Sequence, residues 1–344
     1  VFGSTGSGFN DDIIRAVEDS VKLGADILNL SLGGTAGFYS DADYLQKALA
    51  YAEENGAVVC VAAGNDGTSA SDTGVNTNDW GVIDTGAVSN PATYPGALSV
   101  ASVDNSMLRG KSVTITSGED TVYSGVVMDF SQGNHTDWTS LGEVPILEFG
   151  YGDLFEDIFP KLSTLPEGPY VALVQAGATV SFDGLHDVVY PNEATGGCVS
   201  TFSSWGSTPT LDIKPEISAP GGNIYSVSKD QKYEEMSGTS MATPYVSGCA
   251  ALVLESLQKS LADGSLVLGD TTLNTFVKNT LMNTADPIAD GSVIYSVRQQ
   301  GSGMADPLSA AENRVLATYN GVASVALKEV GNNTGFTMTL TNYG

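Results

Sequence analysis

Residues 236–248, Met-Ser-Gly-Thr-Ser-Met-Ala-Thr-Pro-Tyr-Val-Ser-Gly, carry the clearest chemical signal in the chain. They read as a glycine-loosened turn that delivers Ser240 to the start of a long apolar helix. Gly238, Thr239 and Ala242 are small and leave room for a second molecule to approach the Ser240 hydroxyl. Pro244 is expected in the first helical turn, where a missing N–H costs nothing. A serine placed there feels the positive end of the helix dipole and lies beside unpaired backbone N–H groups. Both would stabilise an oxyanion formed by attack of that hydroxyl. The same residue types also make ordinary helix caps, so further segments must decide between the two uses.

Two such segments exist. Ala25–Gly34 reads Ala-Asp-Ile-Leu-Asn-Leu-Ser-Leu-Gly-Gly, an apolar strand running into a glycine pair. Val58–Gly67 reads Val-Val-Cys-Val-Ala-Ala-Gly-Asn-Asp-Gly, a strand followed by a turn that presents Asn65. An Asn before Asp-Gly is also a turn former in its own right. Taken in this order, the three segments resemble the subtilisin-like serine proteases, or subtilases. The resemblance implies Ser240 as nucleophile, with its own N–H and the Asn65 side-chain amide as oxyanion donors. It implies that Ser31, Leu32 and Gly33 form an edge along which an extended protein or peptide substrate pairs as an added strand. It also implies that Ala62, Ala63 and Gly64 form one wall of the pocket for the residue before the cleaved bond. Small residues packing a strand against a helix would read identically.

The base and its orienting acid have no counterpart in these segments. The two histidines are His135, in Gly-Asn-His-Thr-Asp, and His186, in Gly-Leu-His-Asp-Val; neither matches the His-Gly-Thr-His context of the family. Both read as surface residues of an insertion. Val1–Gly8 resembles the strand and loop that follow the family's aspartate and histidine, so both are expected upstream of Val1, and the chain alone is expected to hydrolyse essentially nothing. The chemistry requires no cofactor. Calcium is common in the family, but Asp26, Asp66, Asp72, Asp79 and Asp84 form no contiguous calcium loop, and no metal ligand is assigned. Gly3–Gly8 lacks the lysine of a phosphate-cradling loop.

Composition narrows the partners. Forty acidic residues against 14 basic ones give a net charge of −26, which argues against nucleic acid or an anionic membrane. No apolar run is long enough to span a bilayer. The charge and the resemblance together suggest a secreted or cell-surface protein. Cys60 and Cys249 fall on apolar stretches and read as core residues; with Cys198 they make an odd set without paired or zinc-binding spacing.

The elements that must position these groups follow from periodicity. Asp11–Gly24 and about 41–55 read as helices, each closed by a glycine, alternating with strands Asp26–Leu32, Ala57–Ala62 and Ala97–Val103. That alternation predicts an α/β fold with a parallel sheet flanked by helices. Residues 106–199 read instead as short strands (Val113–Thr116, Ser124–Asp129, Val144–Phe149, Tyr170–Gln175), a mainly β insertion. Tyr170–Gly177 resembles the hallmark strand of protease-associated domains. Lys214–Gly222 and Gln300–Asp306 resemble later protease segments, with helices predicted at Thr271–Ala285 and about 307–315.

From Val322 onward, alternation in Ser324–Val330 and Phe336–Leu340 suggests the first hairpin of a fibronectin-type-III-like β-sandwich. The expected organisation is a subtilisin-like domain over 1–105 and 200–320, the insertion between them, and the start of a β domain over 321–344. This order resembles the C5a-peptidase and lactocepin branch of cell-envelope subtilases. The alternative function is a non-catalytic protein-binding pseudoprotease that keeps the cleft. A Gly-x-Ser-x-Gly hydrolase is excluded, because Met241 and Ala242 follow Ser240 and no histidine comes later.

Overall fold

In the computed structural model, residues 8–35, 37–38, 40, 42–68, 86–117, 120–127, 146–148, 171–173, 180–228 and 232–344 are described; between 111 and 187 only the backbone is. The Val1–Gly8 segment apart from Gly8, Asp72, Asp79, Asp84 and His135 lie outside the described residues. Most of Tyr170–Gly177 does too.

The chain runs α1 (Asn10–Lys22), β1 (Ile27–Leu30), α2 (Tyr44–Glu54), β2 (Val58–Ala62) and β3 (Ala97–Asp104). It continues through β4 (Met107–Ser117), β5 (Asp120–Val127), β6 (Ile146–Glu148), β7 (Val171–Leu173) and β8 (Val180–Pro191). Then come β9 (Ile217–Gly222), β10 (Ile224–Val227), β11 (Tyr233–Met236), α3 (Thr239–Ala262) and α4 (Leu273–Asn283). Strands β1-β2-β3-β9 form, in that order, one parallel sheet.

The reason β2 is apolar throughout is that both of its faces are covered. Val59 and Val61 join Ile13 and Val17 of α1 and Leu45 and Leu49 of α2 in one cluster. Val58 and Cys60 join Val246, Cys249, Val253 and Leu257 of α3, and Phe276 and Leu281 of α4, in another. This two-residue alternation is the pleat of a strand sorting its side chains between two helical layers. Asp43 closes the start of α2 by accepting from the N–H groups of Leu45 and Gln46.

The chain divides into two compact units, Val1–Ser106 with Asn192–Gly344, and Met107–Pro191. In the second unit β5-β4-β8 form an antiparallel sheet, and β6 pairs with β7.

Two expectations are corrected. α3 begins at Thr239 with Gly238 as its N-cap, so Pro244 is the sixth helical residue and lies inside the helix rather than in its first turn. Ser324–Val330 forms no strand. Lys328 takes a left-handed φ of 56°, which breaks the extended run, and Val315–Thr318 pairs instead with Thr339–Asn342.

A buried ion pair ties the sheet to the segment that leads towards α3. Lys214 Nζ donates to Ala97 O at 2.6 Å and to Glu216 Oε2 at 2.8 Å, and that oxygen also accepts from Ser99 N–H at 2.8 Å. The side chains are only 4% and 13% exposed. Burial holds the Lys214 amine below its ordinary range, while Glu216 opposes that shift. Glu216→Ala would strand the buried ammonium, and we expect a stability loss of roughly 3–5 kcal/mol by urea unfolding. A loss below about 1 kcal/mol would mean that solvent screens the pair after all.

Candidate active site

Ser31 follows β1, Asn65 follows β2 and Ser240 opens α3. All three therefore gather at the carboxyl ends of parallel strands, where open α/β sheets bind ligands. Sheet order alone makes β1 and β2 neighbours, with register pairs Leu28–Val59 and Leu30–Val61.

Thr239 ties the start of α3 to the turn after β2. Its N–H donates to Asn65 Oδ1 at 2.9 Å and its hydroxyl lies 2.9 Å from the same oxygen. Gly64 N–H in turn donates to Thr239 Oγ1 at 3.1 Å. A backbone N–H can only donate, so the Asn65 atom facing it must be the carbonyl oxygen, and the amide orientation is settled. The Nδ2 group is left pointing away, 3.3 Å from where a Cβ on Gly238 would stand. Gly238 therefore keeps that space open. No described residue accepts from Asn65 Nδ2 or from the Ser240 N–H, and Asn65 is exposed while Ser240 is half-buried. Among the described residues these two donors are therefore without an acceptor.

Ser31 meets Ser240 twice. Ser31 Oγ donates to Ser240 O at 2.8 Å, and Ser240 Oγ lies 3.5 Å from Ser31 O, a long contact. Leu32 is half-buried and Gly33 exposed. Ala62 and Ala63 are buried, at 4% and 0% exposure, and the Ala63 carbonyl accepts from Ser89 N–H at 2.8 Å.

Ser89 and Asn90 are residues that sequence reasoning missed. Asn90 pairs both backbone groups with Gly34 at 2.9 Å, so residues 89–90 bridge the two expected walls. A Cβ on Gly64 would collide with the Ser89 hydroxyl, and one on Gly33 would stand 2.9 Å from Ser89 Cβ. Those two glycines are required by close approach. Nothing in the local sequence around Ser89 signals this contact, which joins segments distant in the chain.

His186 lies on β8 of the second unit, opposite Ser112 in register. Asp66 accepts from Thr35 Oγ1 at 3.3 Å. Among the described residues no group of three or more His, Cys, Asp or Glu could hold a metal ion. Burial pushes the Cys60 thiol up to about 12 and the Cys249 thiol up to about 11, so neither supplies a thiolate near neutral pH.

A family model described as the subtilase family matches residues 1–313. The PII-type proteinase of Lacticaseibacillus paracasei is 31% identical, over 96% of this chain and 21% of that protein. The C5a peptidase of Streptococcus pyogenes serotype M3 is 27% identical, over 95% of this chain and 32% of that protein. The chain therefore spans about a fifth to a third of the length of these curated relatives. Among solved structures, the patellamide maturation protease PatA aligns with a TM-score of 0.48 and 21% identity, over 88% of this chain and 68% of that one.

The geometry makes Thr239 the residue that aims the Asn65 amide. Thr239→Val keeps its shape and N–H but removes the hydroxyl. In the full-length protein we expect kcat to fall by about tenfold with KM little changed, the equivalent of one hydrogen bond. Unchanged kcat in steady-state peptide hydrolysis would show that the N–H alone fixes the amide.

Proposed function

Because the chain belongs to the subtilase family, we propose that it is the nucleophile-bearing part of a serine endopeptidase. The observation that supports this reading is that Asn65 Oδ1 accepts from the Thr239 N–H, which turns Nδ2 away from Thr239, while no described residue accepts from that Nδ2 or from the Ser240 N–H.

In this reading an extended peptide pairs along Ser31, Leu32 and Gly33, with the side chain before the scissile bond against Ala62, Ala63 and Gly64. Ser240 Oγ attacks the carbonyl carbon, and the oxyanion accepts from Asn65 Nδ2 and the Ser240 N–H. The amine leaves with a proton, an ester remains on Ser240, and water hydrolyses it. The general base and its orienting acid come from a segment outside these 344 residues. Support for that is chemical: His135 and His186 share no motif with the family's base. On this reading the chain alone is inactive.

The reaction uses no cofactor, and calcium would be structural. The division of the chain at 106 and 192 supports a discontinuous protease domain around a protease-associated-like insertion. A net charge of −26 suits a secreted or cell-surface protease and disfavours nucleic acid as a partner.

The test is fluorophosphonate labelling of the full-length protein, with the modified peptide mapped by mass spectrometry. Modification at Ser240 and loss of both labelling and hydrolysis in Ser240→Ala are expected. Asn65→Ala should slow kcat by roughly 10²–10³-fold, a magnitude that belongs to subtilisin, a member of the same family, and is not obtained from this chain. A folded, full-length protein that takes no label would be a peptide-binding pseudoprotease, and Ser240 would be a helix residue only.

A further inference from the structure

Pro244 stands four residues after Ser240 inside α3. In a regular helix the N–H of residue 244 would donate to the carbonyl of residue 240. Proline has no N–H, and its ring also crowds that carbonyl. The Ser240 carbonyl has therefore lost its helical donor, at the residue whose hydroxyl performs the attack. Ser31 Oγ occupies the vacancy, donating to Ser240 O at 2.8 Å across 209 residues of sequence.

The donor is itself held in place. Asn29 Nδ2 donates to Ser31 Oγ at 3.1 Å, which directs the single Ser31 proton towards Ser240. Ser247, one turn after Thr243 on the same helix, lies 3.1 Å from Asn29 Oδ1. The contacts run Asn29 to Ser31 to Ser240, with Ser247 returning to Asn29, and they link the end of β1 to the first three turns of α3.

We propose that Ser31 is a positioning residue whose hydroxyl replaces the backbone donor withheld by Pro244, fixing the nucleophile against the substrate-pairing edge. Ser31 carries both halves of this arrangement. Its backbone belongs to the edge on which the peptide would lie, and its side chain grips the main chain of the attacking residue. Any slip of α3 along β1 would break the grip. The Ser31 hydrogen bond thereby ties the register of substrate against nucleophile more tightly than non-directional packing could. The inference rests on Ser240 being the nucleophile.

The test is a double-mutant cycle in the full-length protein, with kcat normalised to the fraction of Ser240 that takes a fluorophosphonate. That normalisation removes effects of misfolded protein. Ser31→Ala leaves the Ser240 carbonyl without a donor, and kcat is expected to fall about tenfold with KM changed less than twofold, by analogy with a lost buried hydrogen bond. Pro244→Ala restores a helical N–H to that carbonyl. In the Pro244→Ala background, Ser31→Ala should then cost less than about threefold, because the helix supplies the missing donor. Ser31→Thr, which keeps the hydroxyl, should retain most of the activity. The proposal is overturned if Ser31→Ala costs the same factor in both backgrounds, or if it alters KM alone. It is equally overturned if Ser31→Thr is as impaired as Ser31→Ala. Failure of the unmutated protein to take the label would sink the nucleophile reading instead, and this inference with it.

Discussion

One side chain contact holds the site together: the carbonyl oxygen of Asn65 accepts both the N–H and the hydroxyl of Thr239 at 2.9 Å. α3 has glycine at its N-cap and no side-chain cap of its own. Asn65, 174 residues earlier in the chain, performs that service from the end of β2. A first-turn N–H that would otherwise stay unpaired is satisfied, and in the same act the amide is turned so that its donors face outward. The helix start and the Asn65 amide are therefore one structure, and neither can be adjusted without the other.

That contact requires a helix and a strand end to stay in fixed relation. The cluster shared by Val58, Cys60, Leu98, Val100 and Ile217 with Val246, Val253 and Leu257 seats α3 across the sheet. Gly238 N–H donates to Gly221 O at 2.8 Å, which pins the turn before the helix to the end of β9. Lys214 and Glu216 clamp the approach to β9 onto β3. Apolar burial is non-directional and sets only the distance between layers. The directional bonds at Gly221, Ser31 and Asn65 set where along the strands the helix begins.

Elements whose burial is decided locally were legible in the sequence, and those decided by distant contacts were not. The unbroken apolar run of β2 announces a strand covered on both faces, and the spacing of Ile13, Val17 and Val21 announces a helix with one buried stripe. Ser240 near a helix start could be read from the run of small residues that precedes it. The first helical residue could not, because Gly238, Thr239 and Ser240 can each begin a helix and the choice is made by Asn65. Pro244 was displaced by the same ambiguity, and its effect on the Ser240 carbonyl is visible only once the helix start is known. Strand alternation over 324–330 misled because Lys328 turns left-handed, which no periodicity reveals. Ser89 was invisible for a different reason: its role comes from two glycines, Gly33 and Gly64, brought together by the pairing of β1 with β2.

In the proposed reading the described residues supply one half of an acyl-transfer catalyst, and the division has a physical basis. Two donors and a helix N-terminus lower the energy of the charge that appears on the substrate oxygen after attack. They do little to remove the serine proton, which needs a group of suitable basicity within hydrogen-bond reach. The Ser31 carbonyl, 3.5 Å from Ser240 Oγ, can accept a hydrogen bond but cannot take a proton near neutral pH. A cysteine in place of this chemistry would need a lowered pKa, whereas burial drives Cys60 and Cys249 the other way. Stabilising the oxyanion and abstracting the proton are thus separable tasks. In the proposed reading the first falls to Asn65 and Ser240, with Thr239 orienting the amide, and the second to a base delivered to the Ser240 hydroxyl.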